Sequence, residues 1–207
     1  MKIIVIGAGA MGCLYGAYLS KHNNVTMLDV YEPQVESINQ NGITVLEEDG
    51  TEQHFSNIRA MKSGTCKEVA DLVIVFVKST HTESSLEENK ELFGENTLVM
   101  TLQNGAGNDR KIAKYVKTEN IIIGTSKHNS VNLGGGKIRH SGNGVTTIGS
   151  NLEENVHLQT VADLLSEAGF QSAVSDDIQR IIWSKLFVNL SINFTLGDQA
   201  GVHWCNC

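Results

Sequence analysis

The sequence predicts an α/β fold in which a doubly wound, mostly parallel sheet carries helices on both faces. Three observations support this prediction. Apolar, strand-like runs alternate with helical segments along most of the chain. The first run passes through closely spaced glycines into a helix. A later run, Leu72–Val77, is apolar at every position, which is typical of a parallel strand covered on both faces. The predicted domain comprises residues 1–172.

The first strand, turn and helix have the order that a dinucleotide site requires. A β-branched run, residues 2–6, precedes a helix that continues to about Ser20. Between them the pattern Gly-x-Gly-x-x-Gly covers the residues Gly7, Ala8, Gly9, Ala10, Met11 and Gly12. The first glycine permits the tight turn, the second admits a pyrophosphate, and the third allows close helix–strand packing. The N–H groups at the helix N-terminus would bind the phosphates. We therefore expect a Rossmann-type cofactor site.

A carboxylate follows this loop at the expected distance. The second apolar run, residues 25–30, contains Asp29 at about the 20-residue offset of a ribose-binding acid. A helix then begins at Glu32-Pro33, with proline in the first turn where its missing N–H matters least, and ends at Asn41-Gly42. Strands at Ile43–Glu47 and His54–Arg59 flank a turn and predict a hairpin.

The middle of the chain continues the alternation of strands and helices. Residues 82–93 are charged and helical, and Thr97–Leu102 forms a strand. The loop Gln103–Gly107 opens a helix that runs to about Val116, and Ile121–Gly124 supplies another buried strand.

The pattern changes after the glycine triplet Gly134-Gly135-Gly136. Strands at Lys137–Ser141 and Val145–Ile148 flank Gly142-Asn143-Gly144, and this turn chemistry predicts a late hairpin. A helix over Glu153–Ala168 follows. These residues complete the predicted sheet domain.

A last long helix is predicted over Asp176–Thr195, and three polar residues stand out in it. Lys185, Asn189 and Asn193 are spaced four residues apart and project along one side of an otherwise apolar helix. A solvated helix edge explains such a stripe, but two asparagines reduce helix propensity without a packing gain. A ligand-facing row also explains them, because a lysine ammonium can protonate a carbonyl oxygen and amides can bind a hydroxyl or carboxylate.

Composition limits the classes of function. The chain has 207 residues, enough for one full domain and part of another, and its net charge of −7 argues against a nucleic-acid or anionic-membrane surface. No stretch approaches the ~20 apolar residues of a membrane span. The cysteines form no disulfide framework, which predicts reduced thiols and a cytoplasmic location. His203, Cys205 and Cys207 are too few ligands for a convincing metal site, so we expect no metal.

Four segments together carry a resemblance to a known family. They are Gly7-Ala8-Gly9-Ala10-Met11-Gly12, Val77-Lys78, Leu102-Gln103-Asn104-Gly105 and Trp183-Ser184-Lys185-Leu186-x-x-Asn189-x-x-x-Asn193. In this order the chain resembles the ketopantoate reductases, also called 2-dehydropantoate 2-reductases, from residue 1 to about residue 196. Many dehydrogenases share the glycine loop. The lysine–asparagine helix preceded by tryptophan is far more specific.

The resemblance implies reduction of 2-dehydropantoate to (R)-pantoate by a nicotinamide cofactor, a step towards pantothenate and coenzyme A. Lys185 then matches the general acid, and Asn189 and Asn193 match substrate-binding amides. Asn104 matches the asparagine near both the nicotinamide and the substrate, and Lys78 matches the lysine at the cofactor side of the cleft. Without the resemblance, Lys78 reads as a strand-end lysine reaching water and Asn104 as a turn residue.

One departure from the family bears on the choice between NAD and NADP. Members that use NADPH usually carry an arginine just after the second strand, where this chain has Asp29-Val30-Tyr31. A carboxylate there would bind a free ribose and repel a phosphate, so we predict a preference for NAD. The alternative is that Asp29 only caps the following turn and a remote cation handles the phosphate.

A second departure concerns length. Family members continue for roughly another hundred residues as a helical domain that completes the substrate pocket and usually forms a dimer contact. Residues 173–207 would supply only the first helix of that all-α domain, so we expect a truncated chain whose last helix exposes apolar surface. Three readings stay open: a ketopantoate reductase, a reductase of another 2-oxo acid, and a nucleotide-binding remnant without catalysis. A homodimer is compatible with each.

Overall fold

The computed structural model describes residues 1–188 of the chain. Its strands are, in chain order, β1 (Lys2–Ile6), β2 (Asn24–Asp29), β3 (Ile43–Leu46), β4 (Glu52–Phe55), β5 (Arg59–Lys62), β6 (Leu72–Val75), β7 (Leu98–Thr101), β8 (Ile121–Ser126), β9 (Asn129–Gly134), β10 (Lys137–Gly142), β11 (Thr146–Gly149) and β12 (Ser172–Val174). Its α-helices are α1 (Ala10–Leu19), α2 (Glu32–Asn41), α3 (Thr82–Glu88), α4 (Asn108–Ile112), α5 (His157–Ala168) and α6, described over residues 178–188.

The main sheet confirms the predicted doubly wound architecture. Its eight strands lie in the order β12-β11-β8-β7-β6-β1-β2-β5. Neighbouring strands from β8 to β5 are parallel, and β11 runs antiparallel to β8. The chain leaves β1 towards β2 on one side and later returns to β6 on the other. At such a point a crevice opens at the carboxyl ends of the strands.

Alternate side chains of the central strands enter two separate cores. Ile3 and Val5 of β1 belong to the core on the side of α1 and α5, whereas Ile4 and Ile6 belong to the core that α3, α4 and α6 cover. Burial of both faces explains why these strands are apolar without alternation.

Helix α1 is buried around most of its circumference because a second sheet covers it. This sheet has the order β4-β3-β10-β9, and three of its strands, β3, β9 and β10, contact α1. A helix placed between two sheets has no solvent-facing side along most of its length, which accounts for its small, apolar residues.

The predicted hairpin around Gly142-Asn143-Gly144 is wrong. Strand β10 pairs with β9, which the sequence pattern did not reveal, through the turn Gly134–Gly136, whereas β11 pairs with β8 in the main sheet. The three glycines of this turn have φ of 85°, 60° and 73°, a region that glycine adopts readily. Gly134–Gly136 and Gly142-Asn143-Gly144 both have the composition of a hairpin turn. The pairing of β10 with β3, which is distant in sequence, decides which of the two turns forms the hairpin.

Several predicted element boundaries also need correction. The predicted strand His54–Arg59 is two strands in different sheets, because β4 pairs with β3 and β5 pairs with β2. The helix predicted to reach Val116 is regular only as far as Ile112, and the helix predicted from Glu153 begins at His157. Strand β12 was not expected.

Helix α6 packs against the sheet through its first two turns. Ile178 and Ile182 are buried in the core on the α3 and α4 side. Gly149, at the end of β11, permits this close approach, since an added Cβ would lie 2.5 Å from the Cβ of Ile178. This packing fixes the direction of α6 within residues 178–188.

The outer face of α6 exposes apolar side chains, as expected from the sequence. Trp183 is 48% exposed and Val188 is 55% exposed. Within residues 1–188 no helix is both long and apolar enough to cross a membrane.

A buried pair of histidines joins the second sheet to the end of β8. Nδ1 of His128 lies 3.0 Å from Nε2 of His140, and Nδ1 of His140 lies 2.8 Å from a carboxylate oxygen of Glu47. The other oxygen of Glu47 accepts the hydroxyl of Tyr18. Burial, together with the charge of His140, lowers the pKa of His128 to about 4. His128 is therefore neutral near pH 7 in the folded chain.

This pKa predicts acid sensitivity. An unfolded histidine titrates near 6.5, so below that pH the unfolded chain binds a proton that folded His128 rejects. We expect the free energy of unfolding to fall by about 2 kcal/mol between pH 7 and pH 5 from this group. Urea unfolding of His128→Gln measures it, because the variant should lose less stability over this pH interval than the wild type. Equal pH dependence in the variant and the wild type would contradict the assignment.

Candidate functional site

The glycine loop adopts the geometry that its sequence predicts. Gly7 follows β1 with φ of 103°, and its N–H donates to the carbonyl oxygen of Leu28 at 2.7 Å. An added Cβ would lie 3.0 Å from the carbonyl carbon of Phe76 and from the backbone nitrogen of Val77. Both the backbone conformation and the space therefore require glycine here.

The other two glycines have opposite surroundings. A Cβ on Gly12 would lie 1.9 Å from the carbonyl oxygen of Gly7, so the helix touches the turn. Gly9 is exposed, and a Cβ on it would meet no atom within 4 Å. Open space above Gly9, at the N-terminus of α1, fits the phosphates of a dinucleotide.

Asp29 lies at the carboxyl end of β2 and is bonded to the loop. One carboxylate oxygen accepts the backbone N–H of Ala8 at 2.6 Å, and the other accepts that of Tyr31 at 2.9 Å. Asp29 therefore organises the turn. It also lines an open groove together with Ala8, Gly9 and Asn132 of β9.

Gln34 is a supporting residue that the sequence reasoning missed. It is buried in α2, and its amide nitrogen donates to the carbonyl oxygen of Ala8 at 3.1 Å. A glutamine three residues into a helix gives no sequence signal for this role, because the contact depends on how α2 packs against the loop.

Lys78 and Asn104 lie beyond the carboxyl ends of β6 and β7, and both are exposed. Gln103, which was noted only as part of a motif, connects the two strand ends. Its amide nitrogen donates to the carbonyl oxygen of Val77 and to the hydroxyl of Thr82, the latter at 2.9 Å. A polar residue at the end of an apolar strand is the signal that could have identified it.

Lys185 is half-buried on α6. Its ammonium donates to the carbonyl oxygen of Ser126, the last residue of β8, at 2.7 Å. Burial and the positive charge of Lys127 lower the pKa of Lys185. The residue lines a small pocket with Gln103, Asn104 and Thr125.

The structure thus brings Lys185 and Asn104 into one pocket at the sheet edge that also carries the glycine loop. Asn189 and Asn193 lie outside the described residues. Within residues 1–188 no cluster of three or more histidine, cysteine or acidic side chains could hold a metal ion. The described residues thus form an open groove beside the glycine loop and a small pocket in which an ammonium lies near a carboxamide.

Residues 3–153 match the family described as ketopantoate reductase PanE/ApbA. Among curated proteins, a 2-dehydropantoate 2-reductase of Streptococcus pyogenes serotype M3 is 32% identical over 197 residues. That alignment covers 94% of this chain and 63% of the relative. The chain therefore spans less than two thirds of the length of this curated relative.

Solved structures of a reductase and a dehydrogenase are also similar to this chain. A 2-dehydropantoate 2-reductase from Geobacter metallireducens superimposes with a TM-score of 0.86 and 30% identity, covering 93% of this chain and 64% of that one. A D-mandelate dehydrogenase, solved with NADH and anilino(oxo)acetate, superimposes with a TM-score of 0.84 and 30% identity, covering 89% of this chain and 60% of that one.

Proposed function

Because the chain belongs to the ketopantoate reductase family, we propose that it reduces 2-dehydropantoate to pantoate with a nicotinamide cofactor. The observation that carries this proposal is Lys185, half-buried in the pocket that Asn104 shares, at the sheet edge with the glycine loop. An ammonium in that position can donate a proton to the carbonyl oxygen of a substrate. A domain that only binds a nucleotide does not need such a proton donor.

The cofactor would lie along the glycine loop. The open space over Gly9, the tight turn at Gly7 and the close packing at Gly12 fit a pyrophosphate at the start of α1. Ala8, Ala10 and Met11 complete this loop, and Lys78 lies at the neighbouring strand end. When bound, a reduced nicotinamide supplies a hydride to the substrate's carbonyl carbon.

Lys185 would donate the proton that completes the reduction. As the carbonyl carbon becomes reduced, negative charge develops on its oxygen, and the ammonium protonates that oxygen and becomes a neutral amine. A lowered pKa favours this transfer, because a general acid works best when its pKa lies near the operating pH. The side chain of Asn104 can bind the substrate, and we assign the same role to Asn189 and Asn193 by resemblance.

Oxidation of the reduced cofactor in the presence of 2-dehydropantoate tests the proposal. We expect the absorbance of reduced nicotinamide to fall as pantoate accumulates in equal amount, with the product identified by mass spectrometry. Cofactor binding without any pantoate would contradict the proposal and favour a nucleotide-binding role.

A second candidate substrate comes from the similarity to D-mandelate dehydrogenase. Mandelate is an aromatic 2-hydroxy acid, so the corresponding 2-oxo acid belongs to the same chemical class as 2-dehydropantoate. Comparing kcat/KM for 2-dehydropantoate with that for phenylglyoxylate decides between them. A larger kcat/KM for phenylglyoxylate would make that acid the preferred substrate and leave the proposed mechanism unchanged.

We also infer a preference for NADH over NADPH. Asp29 lines the groove, and Lys62, its neighbour across β2 and β5, is already paired with Glu32 at 2.5 Å. A 2′-phosphate near Asp29 would be repelled by its negative charge.

Titration of the two cofactors tests this inference. We expect NADH to bind more tightly, and Asp29→Asn to shift the ratio of the two dissociation constants towards NADPH by about tenfold or more, because the variant removes the repulsive charge. Glu36→Gln, which removes an exposed negative charge from α2, is the matched control and should leave the ratio unchanged. Tighter binding of NADPH by the wild type would refute the preference.

A further inference from the structure

A second lysine lies next to the proposed acid. The carbonyl oxygen that accepts the ammonium of Lys185 belongs to Ser126, and the same planar peptide group contains the nitrogen of Lys127. The hydrogen bond therefore places the Lys185 ammonium close to the backbone of Lys127. Their proximity follows from the covalent geometry of the Ser126–Lys127 peptide and needs no assumption about the position of the Lys127 side chain.

The backbone of Lys127 is itself held in place. Its N–H donates to the carbonyl oxygen of Val145 at 3.1 Å. Gly144 packs against it, since an added Cβ there would lie 2.6 Å from the Cβ of Lys127. The side chain of Lys127 is exposed, whereas that of Lys185 is half-buried. The backbone of an exposed lysine is thus fixed beside a partly buried lysine.

The groups around Lys185 do not neutralise this pair. Gln103, Asn104 and Thr125 line its pocket and are uncharged. In the part of the chain that the structure describes, neither lysine forms an ion pair with a carboxylate. The positive charge of Lys127 therefore acts on Lys185 without a compensating anion among these neighbours.

We propose that the ammonium of Lys127, anchored beside Lys185 by the Ser126–Lys127 peptide, promotes transfer of the Lys185 proton to the substrate oxygen. Lys127 touches neither substrate nor cofactor in this account and is a positioning residue that acts through charge. Two neighbouring cations repel, so the form of Lys185 that has lost its proton is favoured. The lowered pKa of Lys185 agrees with this geometry. The catalytic role rests on the proposed function, whereas the electrostatic coupling does not.

Competitive labelling of amines tests the coupling without requiring turnover. The full chain is treated with trace acetic anhydride over a range of pH, and mass spectrometry gives the pH midpoint at which Lys185 becomes reactive. We expect Lys127→Gln to raise this midpoint, because the repelling charge is removed, and Lys127→Arg to retain the wild-type midpoint, because arginine stays protonated. Lys90→Gln, which removes an exposed lysine that pairs with Glu87, should also retain the wild-type midpoint.

The other outcomes overturn the proposal. An unchanged midpoint in Lys127→Gln would show that the charge of Lys127 does not act on Lys185. An equal rise in Lys127→Arg would show that the rise comes from a change in structure and not from the lost charge. A similar rise in Lys90→Gln would show that the midpoint depends on the net charge of the chain and not on the charge of Lys127.

The pH profile of kcat/KM for 2-dehydropantoate then links the coupling to catalysis. In Lys127→Gln the loss of activity at high pH should move to higher pH, with Lys127→Arg matching the wild type. A higher KM with an unmoved profile would instead make Lys127 a substrate-binding residue. If the chain shows no turnover, the proposed function fails while the labelling result still decides the coupling.

Discussion

Replacing Lys185 by alanine is expected to reduce kcat by about 10²–10⁴-fold, because the developing oxyanion loses its proton donor. The dissociation constant for the cofactor should stay close to that of the wild type, since Lys185 lies in the pocket with Asn104 and outside the groove that Asp29 lines. Steady-state kinetics and cofactor titration measure the two effects separately.

Lys90→Ala is the matched control for this variant, because it removes an exposed lysine from a different surface. It should retain wild-type kcat. If Lys185→Ala kept full turnover, Lys185 would not be the acid. If the substitution weakened cofactor binding as much as it slowed turnover, its effect would be a general disturbance of the fold.

Gly12→Ala is expected to remove both stability and cofactor binding. The new Cβ would lie 1.9 Å from the carbonyl oxygen of Gly7, so the loop and α1 must separate. We expect the free energy of unfolding to fall by about 2 kcal/mol or more, and dinucleotide affinity to fall with it. Urea unfolding and fluorescence titration with NADH measure the two losses.

Gly9→Ala separates the two roles of the loop. Its Cβ would meet no atom within 4 Å in the folded chain, and its backbone is in a region that alanine adopts, so stability should not change. Affinity for NADH should nevertheless fall, because the methyl group would occupy the space for the pyrophosphate. Unchanged affinity in Gly9→Ala would place the phosphates elsewhere.

The sequence predicted those parts of the fold that depend on local pattern. Strand β1, the glycine turn and α1 follow from an apolar run, three glycines and a helical segment, and buried strands such as β6 follow from apolar residues without alternation. The pairing of β10 was missed because Gly134–Gly136 and Gly142-Asn143-Gly144 are equally good turns. The choice between them depends on β3, far away in the chain.

The candidate site likewise contains residues that the sequence identified and residues that only the packing reveals. Lys185 and Asn104 were identified from motifs, and the structure places them in one pocket. Gln34 and Lys127 were not identified, because their positions beside the glycine loop and beside Lys185 arise from packing between elements that are distant in sequence. Gln34 donates from α2 to the carbonyl oxygen of Ala8, and the backbone of Lys127 follows the Ser126 carbonyl that accepts the ammonium of Lys185.

Fluorescence of bound NADH tests the central claim most directly, because one sample reports binding and turnover in sequence. NADH is first added to the chain until its fluorescence signals saturation, and 2-dehydropantoate is then added to the same sample. We predict that the signal of bound NADH appears and then decays to zero as the cofactor is oxidised and pantoate forms. A signal that appears and persists after addition of 2-dehydropantoate would contradict the proposed reductase, and persistence with phenylglyoxylate as well would favour a nucleotide-binding domain.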